Sequence, residues 1–134
     1  MAIEIMATDM PASRAKAEDT PPFSLRCVVD GTISSTLSGQ TKPKHEVVEL
    51  TVYLQKNMVY MFNSNGKSGS VIPVTWDAES IGSELTGNPD NFVLVRIDRS
   101  SLYLSVDAEA KAMHRRIHTK GPCREIPYRA APVG

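Results

Sequence analysis

Phe23, Leu25, Cys27, Val29, Gly31 and Ile33 take every second position, and Ser24, Arg26, Asp30, Thr32 and Ser34 stand between them. Successive side chains of a strand point to opposite faces, so this spacing predicts a half-buried strand with Cys27 on its apolar face. Asp30-Gly31 has the composition of a hairpin turn, but the alternation continues through it, which favours a bulge at Gly31. The same period returns over 45–55, where Val48, Leu50, Val52 and Leu54 alternate with Glu49, Thr51, Tyr53 and Gln55. Lys56-Asn57 reads as a turn into Met58–Phe62, and 63–69, dense in Asn, Ser and Gly, reads as a loop.

Residues 71–76 predict a further strand. Its Pro73 cannot donate to a ladder, which places the strand at an edge or beside a bulge. A short strand over 80–85 and a loop over 86–91 follow. Val93, Val95 and Ile97 then alternate inward, a tight turn falls near 99–101, and Leu102, Leu104 and Val106 answer them. Strands recurring about every ten residues, with turn chemistry between them, predict an all-β antiparallel barrel or sandwich of about eight strands over residues 23–125.

One segment reads two ways. Residues 107–120 start on an Asp in N-cap position, contain three alanines and run into Gly121-Pro122, so local propensity predicts a short C-terminal helix. Met113, Ile117, Gly121 and Cys123 also share one face of an extended chain, and a small sheet needs a last strand to close its edge. The strand is the reading carried forward.

Composition adds limits. The chain has 134 residues, 41% of them hydrophobic, enough for one domain with a core. Fifteen basic residues balance fifteen acidic ones, so no global field draws the chain to nucleic acid or an anionic membrane. Its apolar runs are far shorter than the roughly 20 residues that span a bilayer. Residues 1–22 carry Pro11, Pro21 and Pro22 without lasting periodicity and read as a mobile lead-in; 126–134 read as a C-terminal tail. Ala15-Lys16-Ala17 resembles a small-x-small cleavage site, but Glu4 and Asp9 interrupt the apolar stretch that a secretory signal requires.

Cys27 and Cys123 stand at opposite ends of the folded region and belong to no C-x-x-C pair. A structural disulfide is the expectation; two reduced cysteines in a cytosolic protein are the alternative. The segments F-S-L-R-C, V-R-I-D-R-S-S-L-Y-L and G-P-C, spread over 23–124, resemble a loosely defined group of small exported bacterial proteins. Those carry a first-strand cysteine, an I-D-R-x-x-G-x-L hairpin and a final G-x-C. Ser101 and Leu102 stand where the hairpin glycine falls in that pattern. The resemblance implies a barrel and a periplasmic or secreted address, and no activity. More distantly, the layout is similar to the small barrels of lysozyme inhibitors, whose inhibitory loop motif has no counterpart here.

Candidate chemistry is sparse. Gly66-Lys67-Ser68 suggests a phosphate loop, but Met61 stands where its first glycine belongs; a G-x-S-x-G elbow fails at Ser70. His114 and His118 could share a metal on a helix but would be ~13 Å apart on a strand, and no further ligand is spaced to complete a site. Lys111, His114, Arg115, Arg116, His118, Lys120, Arg124 and Arg129 make the last fifth basic, without the interleaved aromatics of a nucleic-acid reader. Tyr53, Tyr60, Phe62, Trp76, Phe92 and Tyr103 are core material or the lining of a pocket. The function expected is a non-catalytic periplasmic or secreted barrel that binds a small ligand or protein, without cofactor, metal or nucleic acid. Its candidate binding residues are Tyr60, Trp76 and Tyr103 on the barrel and Asn65 and Lys67 on the 63–70 loop. A lysozyme inhibitor, a cytosolic interaction subunit and a small enzyme without a recognisable motif are the alternatives.

Overall fold

The computed structural model describes residues 20–63, 68–83 and 91–132. Most of the lead-in and the loop positions Asn65 and Lys67 lie outside the described residues. The strands are β1 (Phe23–Ser35), β2 (Thr41–Tyr53), β3 (Met58–Phe62), β4 (Gly69–Trp76), β5 (Ser80–Ser83), β6 (Asn91–Asp98), β7 (Tyr103–Ala110) and β8 (Arg115–Ile126). Each pairs antiparallel with the next and β8 returns to β1, which closes an eight-stranded up-and-down barrel.

The residues expected on the apolar face of β1 line the barrel. Leu25, Val29, Leu50, Val52, Ile81, Ile97 and Leu104 are each no more than 1% exposed. Burying an aliphatic side chain of this size stabilises the fold by ~1.5–3 kcal/mol, so this interior drives closure.

The seam between β1 and β8 is unusually tight. Cys27 lies opposite Cys123, their Cα atoms 3.9 Å apart, and the two form a disulfide. Constraining a loop of this length in the unfolded chain is worth about 4–5 kcal/mol in the chain-entropy model. No bulge forms at Gly31: the register from Cys27↔Cys123 to Asp30↔Lys120 has no inserted residue, and pairing with β2 is also unbroken. The glycine serves close approach instead. A Cβ on Gly31 would lie 1.8 Å from the His118 carbonyl oxygen, and one on Gly121 1.9 Å from that of Val28.

The ambiguous segment over 107–120 is extended, divided by one tight turn. β7 runs to Ala110, Lys111–Met113 form a single 3-10 turn closed by His114 at φ 54°, and β8 begins at Arg115. The helix-forming run A-E-A-K-A-M thus supplies a turn, because pairing with β6 and β8 outweighs its local preference. The β2–β3 connection is built alike, from Leu54–Lys56 and Asn57 at φ 52°. Pro73 is not on an edge, because the barrel has closed. Val74 donates its N–H to the Asn57 carbonyl on the β3 side, so the Pro73 nitrogen faces the β5 side, where the described pairing with β4 runs from Trp76–Ile81 to Val74–Ser83.

The two ends of the barrel differ. Among the described residues, β2 pairs with β3 from Leu50 to Tyr53, and β5 pairs with β6 opposite Arg96, Ile97 and Asp98. Past those pairs, β2, β1, β8, β7 and β6 continue as a five-stranded curved sheet whose concave face is the prolongation of the barrel interior.

The seam generates a contrast. Gly31→Ala or Gly121→Ala is expected to lower unfolding free energy by about 3 kcal/mol in urea titration, since the clash is with backbone. Gly82→Ala is expected to be nearly neutral, because its Cβ would meet only the Val95 oxygen at 3.8 Å.

Candidate functional site

The aromatic candidates are not gathered into one pocket. Alternation turns Val59 and Met61 of β3 inward and Tyr60 and Phe62 outward, where the latter two pack with Tyr53 in a separate cluster. Tyr60 and Phe62 meet edge to face, their ring centres 4.9 Å apart.

The chain's own C-terminal segment covers this outer cluster. Arg129 donates its backbone N–H to Ser24 Oγ at 2.8 Å, and Thr51 Oγ1 donates to the Arg129 carbonyl at 2.6 Å. The Arg129 guanidinium pairs with Glu49 at 2.6 Å and stacks 3.8 Å above the Phe62 ring centre. Further along, Ala131 donates its N–H to the Tyr53 hydroxyl, which also bonds Tyr128 at 3.1 Å. Residues 127–132 thus strap the outer face of β1–β3, and Tyr60 is only 3% exposed.

Trp76 and Tyr103 lie elsewhere. Trp76 donates its indole N–H to the Leu54 carbonyl and to Asn57 Oδ1, both at 3.0 Å, and so fastens the β2–β3 turn at the closed end. Tyr103 stands opposite Asp98 and Pro122 on the outer face of β7, 39% exposed. At the same closed end the β6–β7 turn is held by Asp98, whose Oδ1 accepts from the Ser100 and Ser101 N–H groups and the Ser100 hydroxyl. Those bonds, the one from Ser101 foremost, hold its carboxyl down to about 2.

The open end presents a concavity among the described residues. Two cavities adjoin there, of 380 Å³ and 390 Å³, sharing Met113 and Arg115 in their walls. The first lies against β6, β7 and β8, with Val93, Ala108, Ala110 and Ile117 on the inward-facing side. The second lies between the β1–β2 and β7–β8 turns and is lined by Ile33, Ser34, Ser38, Gln40, Lys42 and His114 besides the shared pair. A backbone bond of 2.9 Å from Thr36 N–H to the His114 carbonyl ties the two turns together. Val93 faces inward as its spacing predicts and is 42% exposed. One row deeper, Thr119 Oγ1 is buried without a hydrogen-bond partner among the described residues.

The basic residues of β8 separate by parity. Arg116, His118, Lys120 and Arg124 face outward, where Arg116 meets Asp107 and Glu109. Arg115 faces the concavity. His114 caps the β7–β8 turn while His118 projects from the outer strand face, so they share no site; no group of metal-ligating side chains occurs among the described residues.

Sequence reasoning did not single out Lys42, Met113 or Ile117 as site residues. The available signal was the unequal lengths of the paired strands, which leave alternating positions at one end facing a space and not a core. Comparison with protein-family models, curated proteins and solved structures finds no match to this chain. Among the described residues no helix is long and apolar enough to cross a membrane.

The strap yields a pH dependence. Arg26, hydrogen-bonded to Glu49 at 2.7 Å, together with Arg129 holds the Glu49 carboxyl below its ordinary value of 4.5 despite partial burial. A lowered folded value stabilises the fold above the unfolded pKa and loses that contribution as pH falls through the folded one. Melting temperatures of wild type and Glu49→Gln should therefore differ at pH 7, wild type the higher, and converge as pH drops from about 5 to about 3.

Proposed function

We propose that this protein is a non-catalytic binding barrel, exported to an oxidising compartment, that holds a small ligand at the open end of the barrel. The observation that carries this reading is the pair of adjoining cavities where five strands outrun the closed ring. Each lies within the ~300–1,000 Å³ range of small-molecule sites, and barrels commonly place such sites at their mouths. The walls are mainly aliphatic, hydroxyl, amide and cationic, with one imidazole, His114, and one carboxylate, Glu109, which Arg116 engages, a set better suited to holding a molecule than to acid–base or nucleophilic chemistry. The outer aromatic cluster, the other concentration of apolar side chains, is already occupied by the strap. The disulfide supports the address, since such bonds persist in secreted and periplasmic proteins and are rare in a reducing cytosol.

Two measurements test the proposal. Nile red, a neutral dye that brightens in apolar surroundings, should bind the native protein, and Val93→Trp should abolish the signal without lowering the melting temperature; undiminished binding would refute the location. Thiol titration of denatured protein from its native host should find none free, whereas two reactive thiols would refute the exported address.

A further inference from the structure

The two cavities differ in chemistry, and their junction points to what they take. Along the 380 Å³ cavity the inward wall is aliphatic, from Val93 through Ala108 to Ile117, with Met113, 62% exposed, at its lip. The 390 Å³ cavity is polar, and no carboxylate lines it among the described residues. Two cations face it, Lys42 from β2 and Arg115 from β8, and neither makes an ion pair among the described residues. Their neighbours differ: Lys44 has Glu46 at 3.6 Å and Arg116 has Asp107 and Glu109. Glu109, the carboxylate on the apolar cavity, is the one engaged by Arg116.

We infer that the open end binds a single-chain amphiphilic anion, its aliphatic tail along Val93, Ala108 and Ile117 and its anionic head between Lys42 and Arg115. The inference rests on the binding-barrel reading above and specifies its ligand class. An aliphatic wall rewards the tail by area removed from water and discriminates little between tails. Two unpaired cations at the lip supply the selectivity, because a carboxylate or phosphate head gains charge-assisted hydrogen bonds that an alcohol or ammonium cannot make. Burial of the head is not required, since both cations stay hydrated at the rim.

Isothermal titration of the full chain with decanoate, decanol and decyltrimethylammonium separates the outcomes. Decanoate should bind about tenfold more tightly than decanol, and the ammonium more weakly than either. Lys42→Gln with Arg115→Gln should bring decanoate to the affinity of decanol; should that double variant not fold, raising the salt concentration on wild type should weaken decanoate and leave decanol unchanged. Decanol equal to decanoate, or decanoate indifferent to both the double substitution and salt, would overturn the anionic specificity while leaving a binding barrel. No binding of any of the three would remove the binding-barrel reading as well. Co-sedimentation with phosphatidylglycerol vesicles in the absence of decanoate binding would overturn the inference in favour of a membrane surface.

Discussion

The close approach of β1 to β8 is the constraint on which the rest of the structure depends. A sheet of eight strands becomes a barrel only if its first and last strands meet, and here they meet where neither Gly31 nor Gly121 has a side chain to hold them apart. The disulfide lies between Cys27 and Cys123 in the same ladder, so the covalent bond and the backbone contacts enforce one register. With β1 fixed between β2 and β8, its apolar face points into the interior along its whole length. Buried aliphatic side chains fill the interior where all eight strands pair, and among the described residues five strands continue beyond it.

This geometry also divides the molecule by role. The closed end holds the turns stabilised by Trp76 and by Asp98, and the strap shields the outer aromatic cluster. At the open end an aliphatic surface and two cations, Lys42 and Arg115, without ion pairs among the described residues, face one space. Proteins bury such surface against themselves where they can, and the C-terminal segment shows this chain doing so on β1–β3. No described segment does so at the mouth, which makes the mouth the candidate for an external ligand.

Much of the fold was legible because period two is a strong signal where one face is polar, as in β1 and β2. It failed where both faces are apolar. Met58–Phe62 shows which residues share a face but not which face is inside, and here the outer one is covered by residues 127–132. Gly31 was misread as a bulge for a related reason: a glycine in a strand fits a bulge or a close neighbour, and the neighbour is distant in sequence. The reach of 107–120 into a turn depended likewise on strand pairing that local propensity does not encode. Leu102 illustrates the opposite case. It adopts φ 54° at the position where the I-D-R-x-x-G-x-L pattern carries glycine, and its carbonyl accepts the Cys123 N–H at 2.7 Å. The site was the least legible part, since it arises from strand ends that differ in length.

Closure of the barrel by β1 and β8 in a single register can be checked by cross-strand nuclear Overhauser effects in solution. Contacts of residues 27–35 with residues 115–123, in the order Cys27–Cys123, Asp30–Lys120 and Ile33–Ile117, are the predicted result. A β1 strand that shows contacts to β2 alone, or to β8 in a shifted register, would contradict it.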